Sequence, residues 1–176
     1  MSTRKSVKII LIVWAIIIAL YGVTRFYQIK WNGTTSLPQK LWLIYVGDHD
    51  LKQGDYVMFK FHDYRMSNPA DYLYVIKQID GLPGDLITVK EWKGRDVSVP
   101  MPNKTSYLYI LPSGAAYPTY DTLSGYHFTP LTTENMKIPN GCYFVHGLQH
   151  PSFDSRYKEF GLVCEYQIYG KAYPIF

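Results

Sequence analysis

Residues Ile9 to Thr24 read IILIVWAIIIALYGVT, sixteen residues without a charge. A stretch that is apolar on every face has no solvated side, so it must lie in lipid or be enclosed by protein. Sixteen residues fall slightly short of the ~17–25 that usually span a bilayer. Lys8 and Arg25 bracket the run, and Phe26, Tyr27 and Trp31 follow it. Snorkelling cations and interfacial aromatic rings extend such a run to membrane thickness. A buried core helix is one competing fate, but the run stands at the extreme N-terminus. A cleaved secretion signal is another, but the following TRFYQIKW is bulky and charged and has no small-x-small cleavage site. The expectation is a retained transmembrane anchor over 9–25. It separates a short N-terminus (1–8) from a folded domain (26–176).

Arg4, Lys5 and Lys8 precede the run, and no acidic residue does. The positive-inside rule places that end in the cytoplasm and the body outside. Residues 1–30 hold five Lys/Arg and no Asp/Glu, which leaves 13 basic and 14 acidic residues for the body. The formal +4 therefore belongs to the anchor and gives no ground for a nucleic-acid partner.

After the anchor the pattern is β throughout. Short runs rich in Tyr, Val, Ile and Phe are separated by Gly, Pro, Asn and Asp turns such as KQGD, GLPGD, LPSG and IPNG. Strands are expected at Leu41–Val46, Tyr56–Phe61, Leu73–Ile79, Leu86–Glu91, Tyr107–Leu111, Cys142–His146 and Gln167–Tyr173. No long stretch of the body has a 3.6-residue period. The fold class is mainly β, with antiparallel sheets around one core and a single N-terminal helix. Residues 99–136 are rich in Pro and Tyr and poor in charge. A substrate-facing lid and a surface excursion are both open readings of them. Cys142 and Cys164 each sit in a strand-like run. A disulfide and two buried free thiols on neighbouring strands are equally open. His146 and His150 are four apart, but Gly147 and Pro151 argue against a helix that would align them on a metal, and the reading carries no cofactor.

The chain has five histidines, none in a recognisable Ser-His-Asp setting, and no G-x-S-x-G elbow. The remaining route to an activated serine is a lysine buried deeply enough to be neutral. Desolvation disfavours the ammonium, and neutral lysine then accepts the serine's proton. Lys77 ends an apolar and aromatic run from Tyr72 to Ile76. By composition alone it points to solvent.

The segment Lys77 to Asp85, KQIDGLPGD, resembles the K-R-x-x-G-x-P-G-D box of type I signal peptidases. Asn32, Thr34, Ser36 and Pro38 resemble the nucleophile segment in the N-x-T-x-S-x-P form of the conjugative-transfer (TraF-type) branch. Gly54-Asp55-Tyr56-Val57 is similar to the G-D-x-V strand. Ser152 to Tyr157 (SFDSRY) resembles the S-x-D-S-R-Y box, and Gly170 to Phe176 is similar to the family's close. The boxes stand in the family's order, and the resemblance is weakest over 90–136.

The resemblance implies a serine endopeptidase with Ser36 as nucleophile and Lys77 as its base. The oxyanion hole would be the Ser36 N–H and the Thr34 hydroxyl. Ser152 would orient the lysine, Asp154 and Arg156 would form a supporting ion pair, and Pro38 and 81–85 would fix the backbone. It also implies a bacterial inner-membrane enzyme with its catalytic domain in the periplasm. Its partners would be the bilayer and a membrane-associated preprotein or pro-pilin. Three residues depart from the pattern. Gln78 replaces an arginine, and Asp80 occupies a normally apolar position. Lys40, four residues from Ser36, stands where glycine is usual and is a rival base, though Pro38 opposes a helical approach. Maturation of a pilin, with cyclisation as one outcome, is the leading function. A general signal peptidase is the alternative, and a catalytically silent assembly factor is the third reading.

Overall fold

The computed structural model of the chain describes all residues except 1–2, 48–49, 64–65, 69–70, 93–105, 121, 124 and 150–151. Part of the Pro/Tyr-rich stretch and His150 therefore lie outside the described residues. One helix, α1 (Thr3–Phe26), contains the whole apolar run and eight further residues. At 1.5 Å per residue its 24 residues reach roughly 36 Å, more than the ~30 Å hydrocarbon core of a bilayer. Its segment Ser6–Phe26 is long and apolar enough to cross a membrane, and no part of it packs inside the protein. That removes the buried-core reading and leaves a helix compatible with a single-pass anchor. Near its end the Thr24 hydroxyl donates to the Tyr21 carbonyl at 2.8 Å. The next residue after Phe26 already belongs to a strand, β1 (Tyr27–Trp31).

The body is built from β1, β2 (Leu41–Val46), β3 (Tyr56–Phe61), β4 (Leu73–Gly81), β5 (Leu86–Trp92), β6 (Ser106–Ile110), β7 (Ala116–Pro118), β8 (Thr122–Leu123), β9 (Tyr126–His127), β10 (Met136–Lys137), β11 (Cys142–His146), β12 (Val163–Cys164) and β13 (Ile168–Pro174). Seven strands form the main sheet in the order β1-β2-β13-β3-β4-β11-β12, and β10-β5-β6-β7 form a second. Every pairing in them is antiparallel. The mostly-β fold class and the single N-terminal helix are as expected.

Alternation along the central strands divides the core. Val57, Phe59 and Phe61 of β3 pack with Ile79, Val145, Tyr157 and Phe160. Met58 of β3 and Ile76 of β4 turn the other way onto Leu37, Trp42, Ile44 and Ala172. The second sheet closes over Ile87, Tyr109, Ile138 and Phe144. Where β4 ends, Gly81 lies so close to its neighbours that a Cβ would stand 2.5 Å from Ile138 Cδ1 and 2.9 Å from Phe144 Cβ. The glycine of the GLPGD turn thus fits a tight site, because a methyl group there would displace Ile138 and the Phe144 side chain of the neighbouring strand. Cys142 and Cys164 face each other across β11 and β12 and are joined as a disulfide. That decides between the two open readings of the cysteines.

Candidate active site

Lys77 sits in mid-strand on β4, beside Val57 of β3. It is 4% exposed, so the solvent reading drawn from composition does not hold. Its side chain leaves the same sheet face as Val75 and Ile79. The Nζ atom donates to Ser152 Oγ at 2.8 Å, and Ser152 is itself only 2% exposed. Burial pushes the Lys77 ammonium down from 10.5 to about 8, Asp154 works against that shift, and Arg156 adds to it. A sizeable fraction is therefore neutral at mildly alkaline pH.

Ser36 arrives from the loop between β1 and β2. Asn32 shapes that loop, its Oδ1 accepting from the Thr34 N–H at 3.0 Å and from the Thr34 hydroxyl at 2.8 Å. The Thr34 hydroxyl also lies 3.1 Å from Ser36 Oγ. Its proton is turned to Asn32, so Thr34 must rotate about χ1 or its C–O bond before it can donate to an oxyanion. Leu37, fully buried, pins the loop into the core beside Trp42 and Ile76, while Pro38 is exposed. Lys40 donates to the Thr34 carbonyl at 2.8 Å, which aims its ammonium at the loop backbone.

One cleft joins these groups. Ser36 and Lys77 both line a cavity of about 230 Å³, together with Thr34, Thr35 and Ser152. Its walls are Phe61, Leu73, Val75, Phe153 and Phe160, with Asp63 as the acidic member. Among the described residues lining it, none comes from 106–136.

Gly147, directly after β11, lies against both serines, and the sequence marked it only as a break in any helix joining His146 to His150. A Cβ on Gly147 would stand 2.3 Å from Ser152 Oγ and 2.9 Å from the Ser36 carbonyl oxygen. The Gln149 N–H donates to that same carbonyl at 3.1 Å. A lone glycine in a sequence carries no period, so the only available signal was its place just before the SFDSRY box.

Asp154 and Arg156 lie fully buried beneath this turn. The guanidinium grips the carboxylate with two bonds, Nε to Oδ1 at 2.8 Å and Nη2 to Oδ2 at 2.9 Å. Nη2 also donates to the Ser152 carbonyl at 2.9 Å, and Nη1 donates to the Pro118 carbonyl. Burial works to raise the Asp154 pKa, but the Arg156 charge and hydrogen bonds hold it below the ordinary carboxylate value. Asp154 Oδ2 accepts from the Gly147 N–H at 3.3 Å. The pair thus braces both Gly147 and Ser152. Asp80 turns away from Lys77, as three residues along a straight strand require, and binds Tyr117 and Gln53. Gln78 donates to the Gly54 carbonyl at 3.0 Å.

A serine and a buried lysine lining one cleft of a β scaffold is one arrangement that hydrolyses peptide bonds. The signal peptidase family model (signal peptidase, peptidase S26) matches residues 3–176. The chain belongs to that family, and its activity is that of a signal-peptidase-type protease. Membership also carries a preprotein substrate and association with a membrane. No curated protein matches the chain.

Proposed function

We propose that the chain is a Ser/Lys endopeptidase in which Ser36 is the nucleophile and Lys77 its base. The observation that carries this reading is the placement of a buried lysine, held by Ser152, in the same cleft as Ser36. Neutral Lys77 takes the Ser36 proton as Oγ bonds to the scissile carbonyl carbon. The resulting oxyanion is met by the Ser36 N–H and, once rotated, the Thr34 hydroxyl. One such donor typically contributes ~2.7–4 kcal/mol in the transition state. The C–N bond then breaks, and the Lys77 ammonium returns its proton to the leaving amine. The acyl ester on Ser36 is resolved by water, or by an amine of the client itself. Ser152 orients Nζ, and the Asp154–Arg156 pair positions the turn that carries Ser152.

The Asn32-Thr34-Ser36-Pro38 pattern supports the conjugative-transfer, TraF-type branch. On that reading the client is a membrane-associated pro-pilin, cut and in some systems closed into a ring. Residues 9–25 anchor the enzyme in the bacterial inner membrane, with 1–8 cytoplasmic and 26–176 periplasmic. The disulfide favours an oxidising compartment for the body and supports that orientation. A general signal peptidase acting on secretory leaders is the alternative. The test is the intact mass of a pro-pilin and of a secretory preprotein after incubation with the full chain in detergent. Release of a leader or tail from the pro-pilin alone, lost in Ser36→Ala, supports the branch. A further loss of one water signals ring closure. Cleavage of the secretory preprotein favours the alternative. Unchanged masses for both clients count against a protease.

A further inference from the structure

The sheet face opposite the cleft carries a second buried polar cluster. Asp80 is 7% exposed and His146 is 4% exposed. Tyr117 Oη donates to Asp80 Oδ2 at 2.6 Å, and Gln53 Nε2 donates to Asp80 Oδ1 at 2.9 Å. The Tyr117 oxygen lies 3.2 Å from His146 Nε2, and the two rings meet tilted by 33° with centroids 4.4 Å apart. The Tyr117 proton is committed to the carboxylate, and the one N–H of a neutral His146 serves either the Tyr117 oxygen from Nε2 or the Gly147 carbonyl from Nδ1. His146 Nδ1 stands 3.2 Å from the Gly147 carbonyl oxygen.

The charged groups that face His146 come from two elements besides β7, which supplies Tyr117. Asp80 on β4 lies 3.8 Å away, and Asp154 and Arg156 follow β11. Burial, helped by Arg156, holds its pKa below the ordinary histidine value, against the pull of Asp154, Asp80 and the Gly147 carbonyl. A buried network of this kind needs every partner in place, because each lost partner strands a desolvated polar group. None of the three residues lines the cleft. What they hold is the end of β11. Gly147 follows His146 directly and packs against both Ser152 and the Ser36 carbonyl.

We infer that Tyr117, Asp80 and His146 form a positioning unit that sets, through Gly147, how Ser152 and Ser36 stand against Lys77. This rests on the Ser36/Lys77 reading above. The three touch no substrate. The unit also gives the β6–β7 hairpin a task, since Tyr117 and the Pro118 carbonyl prop the site from behind.

The test is the pH profile of kcat/KM on a cleavable peptide, measured with the full chain in detergent. Tyr117→Phe removes one hydroxyl and keeps the ring. If the unit positions Ser152, Lys77 loses part of its enclosure. The alkaline-rising limb then moves from about 8 toward the ordinary lysine value. The plateau falls about tenfold or more, as small misplacements of reacting groups do. Asp80→Asn and His146→Leu shift the limb in the same direction, and His146→Gln, which keeps a polar group in the network, leaves it near the wild-type position. A lower plateau with the limb unmoved in all these variants means a purely structural cluster and overturns the inference. A wild-type profile without that limb, or cleavage retained by Ser36→Ala, removes the dyad reading and the unit with it.

Discussion

Lys77 Nζ donates to Ser152 Oγ at 2.8 Å, a bond made between residues 75 positions apart in the chain. It fixes one proton-accepting lone pair of a buried amine by giving its N–H a partner elsewhere. The bond is possible because β4 and β11 are neighbours in the sheet and the segment carrying Ser152 follows β11.

The first consequence is a pH dependence. With Lys77 pushed down to about 8, its neutral fraction grows through that pH, so kcat/KM rises with it and levels off above. Lys77→Arg cannot deprotonate and is expected to show no turnover at any pH. A peptide-cleavage assay over the alkaline range checks both. A flat profile, or activity in the arginine variant, removes Lys77 as the base.

Stability carries the opposite signature. The folded value lies below the unfolded one, so between about 8 and 10.5 the unfolded chain binds a proton that the folded chain does not. From this group alone, stability rises with pH across that window, and the full penalty is present below it. Lys77→Met is therefore expected to be inactive yet more stable at pH 7, by about 1–3 kcal/mol, with the gain fading toward the top of the window. Urea unfolding of both proteins at several pH values measures the difference.

Gly147→Ala places a methyl group on Ser152 and on the Ser36 carbonyl. Backbone and side chain must separate to admit it. Activity is expected to fall by about a hundredfold with only modest loss of stability, since a shift of one ångström at reacting groups costs that much. Peptide cleavage, read beside the thermal midpoint of the variant, separates the two effects.

Asp154→Ala leaves the Arg156 guanidinium buried with only carbonyl partners. Breaking such a pair from one side costs about 3–5 kcal/mol. The double change Asp154→Ala with Arg156→Met is expected to recover part of that stability without recovering activity. Denaturant titration of the single and double variants tests it.

The Cys142–Cys164 bond closes a loop that contains the Ser152–Arg156 segment, across a separation of 22 residues. Its removal by Cys142→Ser with Cys164→Ser is expected to lower stability by about 2–4 kcal/mol. Thiol titration of the unfolded wild-type chain, before and after reduction, verifies that the bond forms.

Much of the sheet was legible because its strands are long and alternate. Leu41–Val46, Tyr56–Phe61 and Cys142–His146 have the expected ends. Strand β1 was not, because Tyr27–Trp31 continues the apolar helix with no turn residue to mark the change. The pairs Met136–Lys137 and Val163–Cys164 are too short for a two-residue period to be seen. At the site, Ser36 and Lys77 could be picked out because ordered boxes surround them. The burial of Lys77 could not be read from composition, since apolar neighbours suit a snorkelling lysine equally well. The Tyr117–Asp80–His146 cluster and its link to Gly147 stayed hidden because residues from three distant segments carry no shared pattern.

Nothing but one peptide link separates α1 from β1. That joint bends but does not lengthen. Strand β1 is the rim of the large sheet, and the loop bearing Ser36 begins where it stops. The helix is therefore a post rather than a leash. On the proposed reading, Ser36 is carried at a nearly constant height above the post's top, and a slack client must bring its bond to that level.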